Sequence, residues 1–569
     1  MESTAFDEAG HRGEGQARRD AAWARSTERR ATSTWEWTLA LLLTGAVAAL
    51  HAGRLLHAGG LWRDEAGAAR LATLPALAEI PGLFQHEAFP LLFPLTLRTY
   101  ALLIGASDFA LRWFGLSVGL GIVCILWRNA RSTGTLPLLS LALLGFDLPF
   151  LIYGDSVRGY GLGSALLLLT YGFLGQALSA PRERQAGALV RVAVAATASV
   201  QVLLGSSALL FALCAAAMGV ALWRRRGFLA AGIAASGALA ATSLLPYAPS
   251  LATARRQWSF IVVYPIGFGR LYHALANTLG PSRVIWLLLF GLGLWRFFRR
   301  RAWRDLEPGS RDTALFAAWV IPAALVSYGL FLWRLGYPPR AWYFLPLMAL
   351  LASALEVVFG ALSGDRGFRR LRLAAIALLL LTQLRPVALY ADSRQTNIDR
   401  VARQVASAAA SGDLIVVDPW YYGVSFSRYY QGKARWVTLP DLPDHRVHRY
   451  DLLKPRLASE HPIDDVLAAV AETLRAHHRV WWVGGEGWPR PGEAVPSLPP
   501  APGTPEGWHD WPYTYAWSRQ LGAFLERHAA QTAEVAVPED GPVNAFEDLT
   551  LSVAQGWRQA GGPGPYLMK

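Results

Sequence analysis

The feature that most constrains this chain is the recurrence of apolar runs long enough to cross a lipid bilayer. A bilayer core needs about 20 apolar residues in a helix, because no water is present there to satisfy backbone N–H and C=O groups. Such runs occupy 35–54, 109–127, 135–153, 160–178, 188–204, 206–223, 228–248, 284–298, 313–333, 342–362 and 372–390. Charged residues make up 17% of the 569, and they are clumped between the runs, whereas a water-soluble fold of this length carries more. The expected fold class is an α-helical polytopic membrane protein with about 11 transmembrane helices. A net charge of +13 would suit a nucleic-acid partner. The Arg residues sit at the ends of apolar runs, however, where insertion topology accounts for them, so nucleic acid is excluded. Cys124 and Cys214 lie inside apolar runs and offer neither a disulfide framework nor a thiolate zinc site. Residues 1–34 are polar and Arg-rich, with no short apolar run and cleavage site behind them, and read as a cytoplasmic basic tail.

One further run, 89–105, is apolar but contains Pro90, Pro94 and a central Arg98. If it does not cross, the N-terminal tail, Arg128/Arg131, Arg182/Arg184, Arg224–Arg226, Arg299–Arg304 and Arg366–Arg372 all fall on one side. If it crosses, every cluster after it moves to the other side. The run is therefore expected as a helix lying at the outer interface, within a first outer loop spanning 55–108. Eleven spans from a cytoplasmic N-terminus then place the C-terminus outside. The loops 154–159, 249–283 and 334–341 share that outer side.

Residues 391–569 are long enough for one independent domain. "GDLIVVDPWYYG" reads as a buried strand over 414–417 running into a turn, and "IDDVLAAVAETLRAHHRVWWVGG" as an amphipathic helix, a strand and a Gly turn. Alternating strands and helices predict a small α/β extracytoplasmic domain. The Pro- and Trp-rich stretch 487–517 reads as an extended loop. The histidines of this region lack metal-ligand spacing, so no metal is expected there.

"LWRDEAGAAR", 61–70, follows the first span directly. Its adjacent carboxylates, Asp64 and Glu65, are either a solvated loop edge or the working part of an enzyme. The same expected face carries Arg158 in "GDSVRGY" and Arg340 in "PPRAWY". An Arg at an outer boundary runs against the charge bias, so each either snorkels to lipid headgroups or captures a phosphate, which a guanidinium can bond at two oxygens. Tyr160 and Tyr343 follow the two arginines and belong either to an interfacial aromatic belt or to a lipid groove. A carboxylate acting as general base on an acceptor, with cations neutralising a departing lipid phosphate, is the chemistry of glycosyl transfer from a polyprenyl-phosphate sugar.

The block "WRDEAGAARLA … HEAFPLLF … DFALRWF" (62–114) resembles the first-loop signature of membrane glycosyltransferases of the GT-C type, in the group of protein O-mannosyltransferase and aminoarabinose-transferase relatives. "DSVRGYG" is similar to their second-loop phrase at Arg158 and Tyr160, and "RAWYFLP" to a late phrase at Arg340, Tyr343 and Pro346. Ala88-Phe89-Pro90 replaces a double proline of that pattern, and Glu87 has no counterpart in it. The resemblance implies a catalytic module over 35–390, with Asp64 as general base or acceptor-orienting carboxylate and Glu65 shaping the site or bonding the sugar. It implies Arg158 and Arg340 on the lipid phosphate, with Tyr160 and Tyr343 beside them and His86 near enough to help. Asp155 and Glu87 are secondary acids on the same face, and Asp155 is expected to pair with Arg158. The implied partners are a polyprenyl-phosphate sugar and a lipid, glycan or protein acceptor. The resemblance further implies an inverting reaction, with no cofactor expected and a divalent metal possible but not indicated.

Three other readings compete. A secondary transporter fits the span number, but no paired Gly/Pro-broken segments recur in two halves, and the outer domain is left unexplained. A polysaccharide polymerase would place its large catalytic loop between late spans. A non-catalytic scaffold of the same fold would tolerate loss of Asp64.

Overall fold

A computed structural model describes residues 34–87, 89–262, 266–485, 488–489, 493–503, 509–538, 541–558 and 567–568. The expected basic tail therefore lies outside the described residues, apart from Thr34. Among those described, ten helices are long and apolar enough to cross a membrane. The first, α1 (Thr34–His57), leads into three short helices, α2 (Arg63–Ala72), α3 (Glu79–Glu87) and α4 (Leu92–Leu103), before the second long helix, α5 (Asp108–Ser132). There follow α6 (Gly159–Ser179), α7 (Arg182–Val202) and α8 (Ser206–Trp223). The next two long apolar stretches are each built from two helices. They are α9 (Gly227–Thr242) with α10 (Ala248–Val262), and α11 (Phe268–Leu279) with α12 (Arg283–Arg299). The bundle closes with α13 (Pro308–Leu335), α14 (Ala341–Ala361) and α15 (Arg366–Ala391). Every residue from Phe344 to Phe359 of α14 is buried, as befits a mostly apolar helix enclosed by its neighbours, and its one charged residue there, Glu356, pairs with Arg372.

The expected eleventh span, 135–153, is not one helix. A single α-turn at Leu138–Ser140 passes into π-helical Leu141–Gly145, the chain turns at Phe146–Asp147, and a second π-helical segment covers Phe150–Gly154. Pro149 accounts for the break. It has no N–H to offer the carbonyl of Gly145, and its ring would clash there. The segment still joins the two faces of the bundle. At one end Arg372, near the start of α15, donates to the Leu136 carbonyl at 3.0 Å. At the other end the Val157 N–H donates to Glu65 at 3.0 Å. Ten of the eleven expected crossings are thus matched by long apolar helices among the described residues, and the run 135–153 is not one of them.

Helix α4 is 12 residues long, about 18 Å at 1.5 Å per residue, too short to span. Arg98, within it, donates to the carbonyls of Ala72 at 3.1 Å and Leu74 at 2.5 Å, where α2 ends. The oriented carbonyls of a helix C-terminus attract a cation, so Arg98 needs no carboxylate partner.

The C-terminal region holds a six-stranded sheet in the order β2-β1-β3-β5-β4-β6. Its strands are β1 (Leu414–Asp418), β2 (Arg435–Thr438), β3 (Arg479–Gly484), β4 (Ala529–Glu534), β5 (Leu551–Trp557) and β6 (Leu567–Met568). β1 runs parallel to both β2 and β3, and β5 is antiparallel to β3 and β4. All five residues of β1 are buried, which is why its first four, Leu414 to Val417, form an aliphatic run rather than an alternation. The expected extended loop over 487–517 is only partly so, because a helix, Trp511–His528, begins inside it with Pro512 in its first turn. Proline is tolerated there because that N–H has no intrahelical partner in any case. Trp488 packs on Trp482 of the sheet with ring centroids 5.2 Å apart, so this Trp belongs to the domain core.

The domain is fastened to the face where α1 ends and α5 begins. Arg428 donates to Asp108, the first residue of α5, at 2.7 and 2.9 Å. The Gln395 N–H donates to the Ala58 carbonyl at 2.8 Å.

Candidate active site

Asp64 and Glu65 occupy the first turn of α2. Successive residues of a helix point about 100° apart, so the two carboxylates diverge. Glu65 turns into the bundle, where its side chain is 1% exposed. Its Oε1 accepts from Arg112 Nη1 at 2.7 Å and from the Val157 N–H at 3.0 Å. It thereby fastens α2 to α5 and to the loop carrying Arg158. Asp64 turns the other way and stays partly exposed.

Arg158 lies beneath Asp64. Its Nη2 is 3.8 Å from Asp64 Oδ2, and its Nη1 donates to the Asp64 carbonyl at 2.8 Å and to Glu87 Oε2 at 2.6 Å. The guanidinium also covers the Phe89 ring, 4.6 Å from its centroid. The C-terminal domain supplies His448, whose Nε2 is 3.8 Å from Asp64 Oδ1 and whose Nδ1 is 3.4 Å from Glu87 Oε1. The two carboxylates thus approach opposite nitrogens of one imidazole and share the Arg158 guanidinium. Among the described residues, no three His, Cys, Asp or Glu side chains are grouped to hold a metal ion.

The glycine of "DEAG" has a steric explanation. A Cβ on Gly67 would stand 2.6 Å from Glu87 Oε1, so any side chain there would collide with the carboxylate that holds Arg158. Burial opposes ionisation of both Asp64 and Glu87. Arg158 and His448 outweigh it at both sites, with Arg63 adding to the effect at Asp64, and hold each carboxyl below its ordinary value. Both are therefore ionised at neutral pH. Burial likewise opposes the charge on Arg158, but Asp64 and Glu87 raise its pKa above the usual one.

An aromatic wall flanks this cluster. Tyr160 meets Phe89 edge-on at 5.5 Å and Tyr343 at 6.4 Å. Trp342 stands 6.4 Å from Tyr160, 5.2 Å from Tyr153 and 6.2 Å from Trp62. The Tyr328 hydroxyl donates to the Tyr343 carbonyl at 2.5 Å and so fixes the start of α14. Arg340 is exposed and immediately precedes that helix.

The structure thus brings together Asp64, Glu87, Arg158, Tyr160 and Tyr343, with Arg340 at the outer end of the same wall. Two residues sit elsewhere. Asp155 does not pair with Arg158. The broken crossing turns it toward α1, where its Oδ2 lies 3.1 Å from His51 Nδ1. Its backbone carbonyl packs so tightly on α5 that a Cβ on Gly115 would stand 1.7 Å from the oxygen. His86 is buried and faces the C-terminal domain, with Nδ1 3.8 Å from Asp451 Oδ1 and Nε2 3.3 Å from Gln85. Burial lowers its pKa.

Several residues of the C-terminal domain reach the site without any local motif to mark them. His448 bridges Asp64 and Glu87. Tyr421 and Tyr422 lie against the Arg63 guanidinium, at 4.7 and 5.6 Å. Asp510 is a carboxyl pushed up to about 6 by burial, with Arg340 opposing the shift. The one hint in the sequence was that this region emerges on the same side as the first loop.

Solved structures similar to this chain include two of one protein. One is the ArnT protein of Cupriavidus metallidurans bound to undecaprenyl phosphate, 14% identical, covering 80% of this chain and 94% of that one with a TM-score of 0.49. The other is the apo state of the same protein, at 14% identity, 78% and 93% coverage and a TM-score of 0.49. No family model matches the chain, and no curated protein matches it.

Proposed function

We propose that this multi-pass membrane protein is a glycosyltransferase of the GT-C type, moving a sugar from a polyprenyl-phosphate donor to an acceptor hydroxyl or amine. The reaction takes place at the face that carries the C-terminal domain. The observation that carries this reading is the ionised Asp64 carboxylate set between Arg158 and His448, beside an aromatic wall that ends at exposed Arg340. The distribution of Arg clusters along the sequence supports reading the opposite face as cytoplasmic and the reaction as extracytoplasmic.

In this mechanism the acceptor heteroatom attacks the anomeric carbon from the side away from the phosphate. Asp64 takes the proton that the acceptor loses. The bond between the anomeric carbon and the phosphate oxygen breaks, and polyprenyl phosphate departs with the electron pair. Arg340 meets the donor phosphate first, and Arg158 neutralises the charge that develops on the leaving group. The phosphate competes with Glu87 for Arg158, so Glu87 acts as a stand-in anion that keeps the guanidinium placed while the site is empty. Tyr160, Tyr343 and Trp342 line the path of the first isoprene units. Glu65, bonded inside the bundle, shapes the site without touching substrate.

The test is to offer the purified, detergent-solubilised protein a panel of polyprenyl-phosphate sugars and candidate acceptors. The proposal expects release of polyprenyl phosphate from at least one donor, with inversion at the anomeric carbon. Folded protein that binds no polyprenyl-phosphate sugar, or transfer with retained configuration, would overturn it.

A further inference from the structure

The helix that carries Asp64 does not cap itself. The residue before its first turn is Trp62, which offers no side-chain acceptor, and no cap hydrogen bond comes from it. The first helical N–H, that of Arg63, is instead bonded by Glu547, 484 positions away in the C-terminal domain, with Oε2 at 3.0 Å. Glu547 is 0% exposed. Its other oxygen accepts from Thr396 at 3.1 Å and Ser425 at 2.8 Å, and its own N–H donates to the Asn544 carbonyl at 3.0 Å. The same carboxylate lies 3.6 Å from Arg63 Nη1, and that guanidinium also donates to the Phe546 carbonyl at 3.2 Å.

The strand of chain entering α2 is held in the same way. Gly59 forms a β-bridge with Thr396, and the Leu61 N–H donates to the Tyr429 hydroxyl at 2.6 Å. Tyr429 donates in turn to Asp108 at 2.7 Å. Gly59, Leu61 and Arg63, alternate residues of the five before Asp64, are thus paired with the C-terminal domain, while the Gly60 carbonyl accepts from Arg112 of α5 at 2.8 Å. A carboxylate at a helix N-terminus also complements the positive end of the helix dipole, and a buried one held by two further hydrogen-bond donors has little freedom to move.

We infer that Glu547 is a positioning residue for the active site. By capping α2 it sets the direction in which Asp64 meets the acceptor, and the C-terminal domain is thereby part of the catalytic module. This inference rests on the reading of Asp64 as the base. The two can fail separately, because the cap is observable without catalysis.

The experiment compares wild type, Glu547→Ala and Glu547→Gln as full-length protein in detergent. It measures amide hydrogen exchange over residues 61–67 and steady-state transfer from the donor found active. Glutamine keeps an oxygen for the Arg63 N–H, and the Thr396 and Ser425 hydroxyls can rotate to accept from its amide. Alanine keeps neither. Exchange at 61–67 should rise in Glu547→Ala and stay near wild type in Glu547→Gln. In Glu547→Ala, kcat should fall about tenfold to a hundredfold, the scale on which an ångström of misplacement acts, with the donor KM held within about twofold. Glutamine should restore kcat to within about threefold. Unchanged exchange and kcat in Glu547→Ala would overturn the inference while leaving Asp64 in its role. Raised exchange at 61–67 together with full activity of Asp64→Asn would uphold the cap and sink the catalytic reading. If Glu547→Ala does not fold, Glu547→Asp replaces it, since a carboxylate one methylene short cannot keep both Arg63 and Thr396.

Discussion

Replacing Gly67 with alanine sets two effects of opposite sign against each other. Gly67 is an interior helical position, where alanine ordinarily stabilises by about 1 kcal/mol. Here the new Cβ would lie 2.6 Å from Glu87 Oε1 and 3.3 Å from its Cδ, closer to the oxygen than real contacts come. Glu87 cannot swing away cheaply, because it is 5% exposed and bonded to Arg158 at 2.6 Å. Overpacking of this kind costs about 1–3 kcal/mol, and loosening a buried ion pair adds to it, up to about 3–5 kcal/mol if the pair is broken outright. Gly67→Ala is therefore expected to be destabilising by about 2 kcal/mol net, with the sign of the helix propensity reversed. The clash vanishes if the carboxylate is removed, since the next contact of the Cβ is Val424 Cγ1 at an ordinary 3.7 Å. In a Glu87→Ala background the same Gly67→Ala change should then stabilise by about 1 kcal/mol. Thermal unfolding of the four proteins of this double-mutant cycle in one detergent is the assay, with an expected coupling of about 3 kcal/mol. A Gly67→Ala protein that melts above wild type, or additivity of the two changes, would refute the placement of Glu87 against α2.

Three further outcomes are expected. Arg340→Ala should raise the donor KM about tenfold or more with a smaller change in kcat, read from steady-state kinetics, because an exposed guanidinium acts on the phosphate before the chemical step. In a Cys124→Ala background, needed because Cys124 is exposed while Cys214 is buried, cysteines placed at Ser411 and Ser132 should label with an impermeant maleimide from opposite sides of the membrane. Labelling of both from one side would contradict the eleven crossings. Asp64 and Glu87 both have depressed folded pKa values, so their stabilising contribution is present above the ordinary carboxylate range and lost as pH falls through the lower folded values. Melting temperature should accordingly drop below about pH 4, and Glu87→Gln should flatten part of that drop.

Much of the membrane module was legible because lipid imposes a coarse rule: a crossing must be long, apolar and helical. The same rule is blind to which carbonyl each N–H finds. The run 135–153 therefore reads as one span, although Pro149 breaks it into two π-helical pieces. That break is also what sends Asp155 to His51 and leaves Arg158 to Glu87. The divergence of Asp64 and Glu65 was available from helical periodicity alone, once "RDEAGAARLA" is taken as a helix rather than a loop. Strand β1 was readable because its run buried on both faces, Leu414 to Val417, is aliphatic. The approach of His448 to Asp64 was not readable. It depends on how the C-terminal domain docks, through contacts such as Arg428 to Asp108 between residues 320 positions apart.

In the proposed mechanism Asp64 accepts the acceptor's proton and does not serve donor capture. Single-turnover transfer from an isotopically labelled donor, with bound donor counted in the same samples, tests this most directly. Asp64→Asn should bind the donor within about threefold of wild type and slow transfer by about a thousandfold or more, as loss of a general base does. Transfer by Asp64→Asn at the wild-type rate would contradict the account, and loss of donor binding alone would reassign Asp64 to holding the donor.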